Sequence, residues 1–118
     1  MTNFMVAKVF TLDVQWQFMT EALRWQFDWD DANLRHLARH RISRLEFEQA
    51  MTNRPIILDF SNESGEERWF AVGATDNVRI LYLIYTYRGD QIRAITGCDA
   101  SKEMRESYFQ AKHSEAKR

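Results

Sequence analysis

Three groups of side chains in this 118-residue sequence have chemistry worth placing. His36 and His40 are four apart, a spacing that puts both on one helix face together with Asn33. Two imidazoles at that spacing suit zinc only when a third ligand joins them, and no Glu follows in an HExxH arrangement. Cys98 and His113 are the other soft donors, and neither has a partner at ligand spacing. No metal is therefore expected. The second use of an imidazole is general acid–base work near neutral pH, against a plain role at the core edge or facing a partner. Arg68 alternates with Phe70 and Val72, while Glu67 and Trp69 fall on the opposite side. It is either a salt-bridge partner of Asp59 or Glu66 or a guanidinium that grips phosphate through two parallel hydrogen bonds. Arg79 and Arg93 stand at odd positions, as do Tyr85 and Tyr87. If their strands are neighbours, one sheet surface combines cations that neutralise phosphate with rings that stack bases, a combination suited to RNA. The alternative is a half-exposed face whose tyrosines cover the helices. Cys98 has no evident base beside it, and an inert, buried thiol is the reading that fits.

Positioning these groups falls to an alternating pattern between Gly65 and Gly97. Glu67–Ala74 and Gln91–Gly97 alternate, and Val78–Tyr87 is nearly continuous in Val, Ile, Leu and Tyr, as a central strand covered on both faces would be. Thr75-Asp76-Asn77 and Arg88-Gly89-Asp90 supply turn residues that tolerate positive φ. Upstream, Pro55 introduces a short strand at Ile56–Phe60, and residues 61–66, SNESGE, form a loop. Asp30 or Asp31 caps a helix to about His40, with Ala32, Leu34, Leu37 and Ala38 as its apolar contacts. Ser43 and Glu46 have the spacing of a capping box and open a second helix that buries Leu45, Phe47, Ala50 and Met51. A last helix from Lys102 to about Lys112 carries Met104, Tyr108 and Ala111 as one stripe. The predicted architecture is α+β: a four-stranded antiparallel meander with two N-terminal helices and one C-terminal helix.

The length allows one domain. No apolar run approaches the ~20 residues of a membrane span, the opening residues show no secretory pattern, and one cysteine suits a reducing compartment. The cytoplasm is the expected location. The net charge of −1 divides unevenly: residues 1–77 hold 8 Lys/Arg against 12 Asp/Glu, and residues 78–118 hold 8 against 5. The basic half can present a local phosphate-binding face, or its charges can simply solvate the surface. Residues 1–26 read as an N-terminal extension. Met5–Val14 is weakly strand-like, Trp16, Phe18 and Met19 add apolar bulk, and Met19 makes an equally good initiator. Residues 27–112 read as the functional domain, and 113–118 as a flexible polar tail.

The ordered motifs Gly65-Glu66-Glu67-Arg68-Trp69, then Tyr85-Thr86-Tyr87-Arg88-Gly89, then Ile92-Arg93-Ala94-Ile95-Thr96 leading into a basic helix resemble the BrnT family. Its members are toxin halves of bacterial type II toxin–antitoxin pairs. The resemblance runs from Phe27 to Ala111. It implies a RelE-like fold and a metal-independent endoribonuclease that needs no cofactor and blocks translation. It also implies a cognate DNA-binding antitoxin as partner, with RNA as substrate, DNA met only through the antitoxin, and no membrane. On this resemblance the catalytic candidates are His40, Arg68, Tyr85 and Arg93, and the RNA-binding ones are Arg79, Tyr87 and Lys102. Two positions depart from the pattern. Arg41 stands where the family usually has glycine after the histidine matched by His40. Cys98 stands where an arginine after the last strand could stabilise charge developing on a phosphate. That second departure keeps open a different class of function, a binding module that retains the antitoxin-facing surface without efficient cleavage.

Overall fold

The computed structural model describes residues 26–116. The expected strand at Met5–Val14 and the alternative start at Met19 lie outside them. Three helices, α1 (Asp31–Ala38), α2 (Arg44–Thr52) and α3 (Lys102–Ala116), accompany four strands, β1 (Ile56–Ser61), β2 (Arg68–Ala74), β3 (Ile80–Arg88) and β4 (Gln91–Asp99). The sheet is antiparallel throughout and its spatial order is the chain order. The α+β meander is as the sequence predicts. α3 runs further than expected, into residues read as tail.

Both N-terminal helices start on side-chain caps. The Asp30 carboxylate accepts from the Asn33 N–H at 2.9 Å, and the Asn33 amide oxygen accepts from the Asp30 N–H at 2.8 Å. Ser43 and Glu46 exchange the equivalent pair at 3.1 and 3.0 Å, the capping box visible in the sequence. α1 ends before His40, in a Schellman turn: Ile42 N–H donates to the Leu37 carbonyl and Arg41 N–H to that of Ala38. Arg41 takes the left-handed position of this turn, φ +57. A side chain there costs about 1 kcal/mol relative to glycine. His40 falls in the turn that closes α1, and His36 and His40 are both exposed while Asn33, expected beside them, is buried.

α1 and α2 lie on one sheet face. Leu37, Ile42, Phe47, Ala50 and Met51 pack there against Ala71, Leu81, Leu83, Tyr85, Ile92 and Ala94, with Phe27, Trp29 and Trp69 at the margin. Gly73 permits the close approach of α2, since a Cβ there would meet the Ala50 carbonyl oxygen at 2.6 Å. Leu45, expected in this core, is 62% exposed on the outer side of α2. α3 crosses one end of the other face, where Tyr108 and Met104 cover Val72, Ala74, Ile80 and Ala100. It reaches as far as the Arg54 carbonyl, which accepts from Lys112 Nζ at 2.6 Å. Among the described residues no helix packs on the remainder of that face.

Two turns and one bulge set which side chains share a face. β3 and β4 join through Gly89 and Asp90, with Gly89 at φ +62, the glycine-first chemistry of a two-residue hairpin. The pairs nearest the turn are Arg88 with Gln91, Tyr87 with Ile92 and Thr86 with Arg93. Beyond Ile84 the register shifts by one, with Ile95 the extra residue. In the β2–β3 turn the positive φ falls on Val78 (+61) and not on the Asp or Asn that were expected to take it. On the outer edge of β4, Phe27 pairs in parallel with Ile92.

Candidate nucleic-acid interface

The open half of the α3 face is built in rows across the sheet. Ser61 pairs with Arg68 and Thr86 with Arg93. Trp69 pairs with Tyr85, so Arg68, one residue earlier, comes level with Thr86. Arg68 and Arg93 therefore stand on one face with Thr86 between them, two strand spacings or about 10 Å apart. The next row holds Asp59, Phe70, Ile84 and Thr96. The one after it, Ile56, Val72, Tyr82 and Cys98, meets the edge of α3, which covers Val72. The rings of Phe70 and Tyr82 lie nearly parallel, their centroids 6.4 Å apart. Both are half-buried, as are Ile84, Thr86 and Thr96.

Carboxylates hold these cations. Arg68 meets Glu66 at 3.2 Å, with both side chains well exposed. Such a pair contributes about 0–1 kcal/mol and yields readily to another anion. Arg93 is more firmly placed: Nη2 reaches the Asp30 carboxylate at 2.6 Å, and Nη1 faces Asp28 Oδ2 at 3.5 Å. That second contact is an ion pair too long for a good hydrogen bond, so both shielded atoms lack a hydrogen-bond partner among the described residues. Arg88 approaches the same Asp28 oxygen at 3.2 Å. The Asn33 amide, and after it Arg93, hold the Asp30 carboxyl below its usual value. Asp30 thus caps α1 and anchors Arg93 with the same carboxylate.

The other sequence candidates lie elsewhere. Arg93 does not join Tyr85 and Tyr87, because the two-residue turn pairs it with Thr86 and puts the tyrosines on the opposite face. Tyr85 is only 2% exposed, and burial raises its pKa further than any neighbour does. Arg79 is fully employed at the far end of the sheet. Its Nε donates to Asp99 (2.9 Å), Nη1 to the Arg41 carbonyl and Glu46 (2.8 and 3.0 Å), and Nη2 to the His40 carbonyl (3.1 Å). One guanidinium thereby satisfies two carbonyls freed by the end of α1 and ties them to β4. His40 is exposed at this corner, and Lys102 is exposed at the start of α3. Arg68 and Arg93 stand near the other end of β3, five or more residues of strand away. Cys98 faces the α3 side while Asp99, paired with Leu81, faces the other. Burial, and secondarily Asp99, push the Cys98 thiol up and keep it protonated.

The motifs that carry the sequence resemblance all border this open face or the strands behind it. A family model described as "Ribonuclease toxin, BrnT, of type II toxin-antitoxin system" matches residues 29–103. The chain belongs to the BrnT family. No curated protein matches it. Membership makes it a ribonuclease toxin of a type II pair, with an antitoxin as the implied partner. The matched BrnT region begins at Trp29 and ends within the first turn of α3. Asp28, Phe70, Tyr82 and Arg88 belong to this surface and were not singled out from the sequence. Only the strand register, which puts Asp28 beside Ile92 and Tyr82 beside Cys98, brings them there. Among the described residues no three His, Cys, Asp or Glu side chains gather as metal ligands, and no helix is long and apolar enough to cross a membrane.

Proposed function

We propose that this BrnT toxin binds single-stranded RNA along the open half of the α3 face and cleaves it slowly, without metal or cofactor, acting in the cytoplasm to slow translation. The observation that carries the reading is the row Arg68–Thr86–Arg93, two guanidinium groups, one exposed and one half-buried, on one sheet surface. A nucleic-acid backbone presents phosphates that can replace Glu66 at Arg68, and the Phe70 and Tyr82 rings below offer a surface for a base. Slow turnover follows from what this face lacks. His40 lies at the Arg79 corner and Tyr85 is buried behind the sheet, so neither meets a phosphate held by Arg68 and Arg93. Position 98, on the same face, carries a thiol in place of a guanidinium. Arg68 and Arg93 act as substrate-gripping cations, with Lys102 as a more distant contact. A DNA-binding antitoxin neutralises the toxin and brings it to DNA only indirectly.

The test combines growth and cleavage. Induced expression is expected to slow bacterial growth, and co-expression of the neighbouring antitoxin frame to restore it. The purified chain should bind a long unstructured RNA while cutting it weakly. Growth unaffected by the toxin, together with no RNA binding, would overturn the reading.

A further inference from the structure

A carboxylate stands on the α3 face in the row next to Arg68, and a break in the strand put it there. β1 and β2 shift register between Ile57 and Asp59, so Leu58 is the extra residue and Asp59 pairs with Phe70. Plain alternation from Ile56, which packs with the α3 cluster, would have sent Asp59 to the opposite face. The bulge re-aims it. Asp59 is exposed, and its Oδ1 accepts from the Phe60 N–H at 2.7 Å, which holds the carboxylate at the bulge. Among the described residues no cation pairs with it, and Arg68 meets Glu66 instead. An unpaired carboxylate repels a phosphate backbone, so on a surface for RNA it is useful only towards a part of the polymer that carries no charge.

We propose that Asp59 reads the edge of a base stacked at Phe70 and selects guanine. The inference rests on RNA lying along this face. Phe70 is the cross-strand partner of Asp59, and its ring lies 21° from parallel with that of Tyr82 at 6.4 Å. Burial, then Cys98 and then Asp59, raise the Tyr82 pKa, so the carboxylate's charge is felt at this ring. Arg68 stands two residues before Phe70 on β2, about 7 Å away, a distance comparable to that between a phosphate and the base it carries. A phosphate on Arg68 therefore brings its base to Phe70, with the base edge towards β1 and Asp59. An ionised carboxylate only accepts hydrogen bonds, and each oxygen has two acceptor sites, so the bond from Phe60 leaves room for a second donor. Guanine alone has two N–H donors side by side on its Watson–Crick edge, N1–H and the N2 amino group, and can meet both oxygens at once. Adenine and cytosine offer one amino group beside an acceptor nitrogen. Uracil offers one N–H between two carbonyls, which the carboxylate repels. The preference therefore runs from guanine, first, to uracil, last.

The test is fluorescence anisotropy with the full chain and short oligouridylates that carry a central guanosine, inosine, adenosine or uridine. Wild type is compared with Asp59→Asn and Asp59→Ala. Asparagine keeps an oxygen for the Phe60 N–H, and urea denaturation checks that each variant is folded. The wild type should bind the guanosine oligomer on the order of tenfold more tightly than the all-uridine one, the worth of one bidentate base contact. Inosine, which lacks the N2 amino group, should fall between them. Both variants should lose the preference from two directions: guanosine binding weakens, while all-uridine binding tightens because the repulsion leaves with the charge. A plain structural role for Asp59 would weaken all the oligomers alike, and that result would overturn the proposal. Equal binding of every oligomer by the wild type, or a guanosine preference that survives in Asp59→Ala, would also overturn it while leaving RNA binding in place. A wild type that binds none of them would remove RNA binding and base selection together.

Discussion

Arg68 and Arg93 differ in how each is held, and the difference predicts different mutant behaviour. Arg68→Ala removes a cation whose one partner among the described residues is an exposed glutamate. RNA affinity should fall by roughly 1.5–3 kcal/mol, the worth of a charged hydrogen bond, with the unfolding midpoint nearly unchanged. Arg93→Ala should weaken binding similarly and also lower stability, because among the described residues it leaves the shielded Asp28 oxygen with Arg88 alone and Asp30 without its ion pair. Binding titration alongside urea denaturation separates the two effects. If both variants bind RNA like the wild type while folded, neither residue belongs to the interface. Position 98 gives the catalytic counterpart. Cys98→Arg places a guanidinium on the face that carries Arg68 and Arg93, and Asp99, turned to the other face and engaged by Arg79, is not free to capture it. Cleavage of a long RNA should rise by roughly 10²-fold, the lower end of what one preorganised donor supplies. Cys98→Ala should cut no better than the wild type. Vigorous cleavage by the wild type that Cys98→Ala leaves intact would mean that another group already stabilises the transition state.

Among the elements, the local signals in the sequence were the ones that could be read. The Ser43–Glu46 capping box, the glycine in the β3–β4 turn and the Met104 and Tyr108 contacts of α3 depend on neighbours a few residues apart, and each appears in the structure. The site was less legible because it depends on pairing. Odd numbering placed Arg93 with Tyr85 and Tyr87, whereas a two-residue turn pairs odd positions with even ones and sends Arg93 to the other face. Arg79 looked available for RNA because its four partners come from residues 40, 41, 46 and 99, a convergence that spacing alone does not reveal. Its replacement by alanine should destabilise the fold by about 2–4 kcal/mol, since two charge-assisted contacts and two carbonyl bonds are lost together. RNA binding by the folded fraction should hold steady. The adjoining left-handed Arg41 predicts the opposite sign: Arg41→Gly should raise stability by about 1 kcal/mol in urea denaturation, provided the Schellman turn is kept.

For the whole molecule, the ion pairs and buried tyrosines bound the stable pH range on both sides. Asp30, Asp99 and Glu46 have folded-state values below their ordinary 3.8, 3.8 and 4.5. The stability they contribute is present above those ordinary values and is lost as pH falls through the lower folded ones. Tyr85, raised by burial above its ordinary 10.0, contributes stability that is full below pH 10 and declines as pH rises beyond it. Urea midpoints measured against pH should therefore form a plateau from about pH 5 to 9, and Tyr85→Phe should soften the alkaline decline. The strap formed by α3 has a further consequence, for biosynthesis. It is the last of these elements to be made, yet it covers Val72, Ala74 and Ile80 on two earlier strands and reaches back to the residue before Pro55. Strands β1 to β4 can pair as they leave the ribosome, but their second face stays bare until α3 follows. A ribonuclease toxin of this build thus depends on its own synthesis reaching this helix, and a ribosome stalled before Lys102 would release a sheet with no cover on that side.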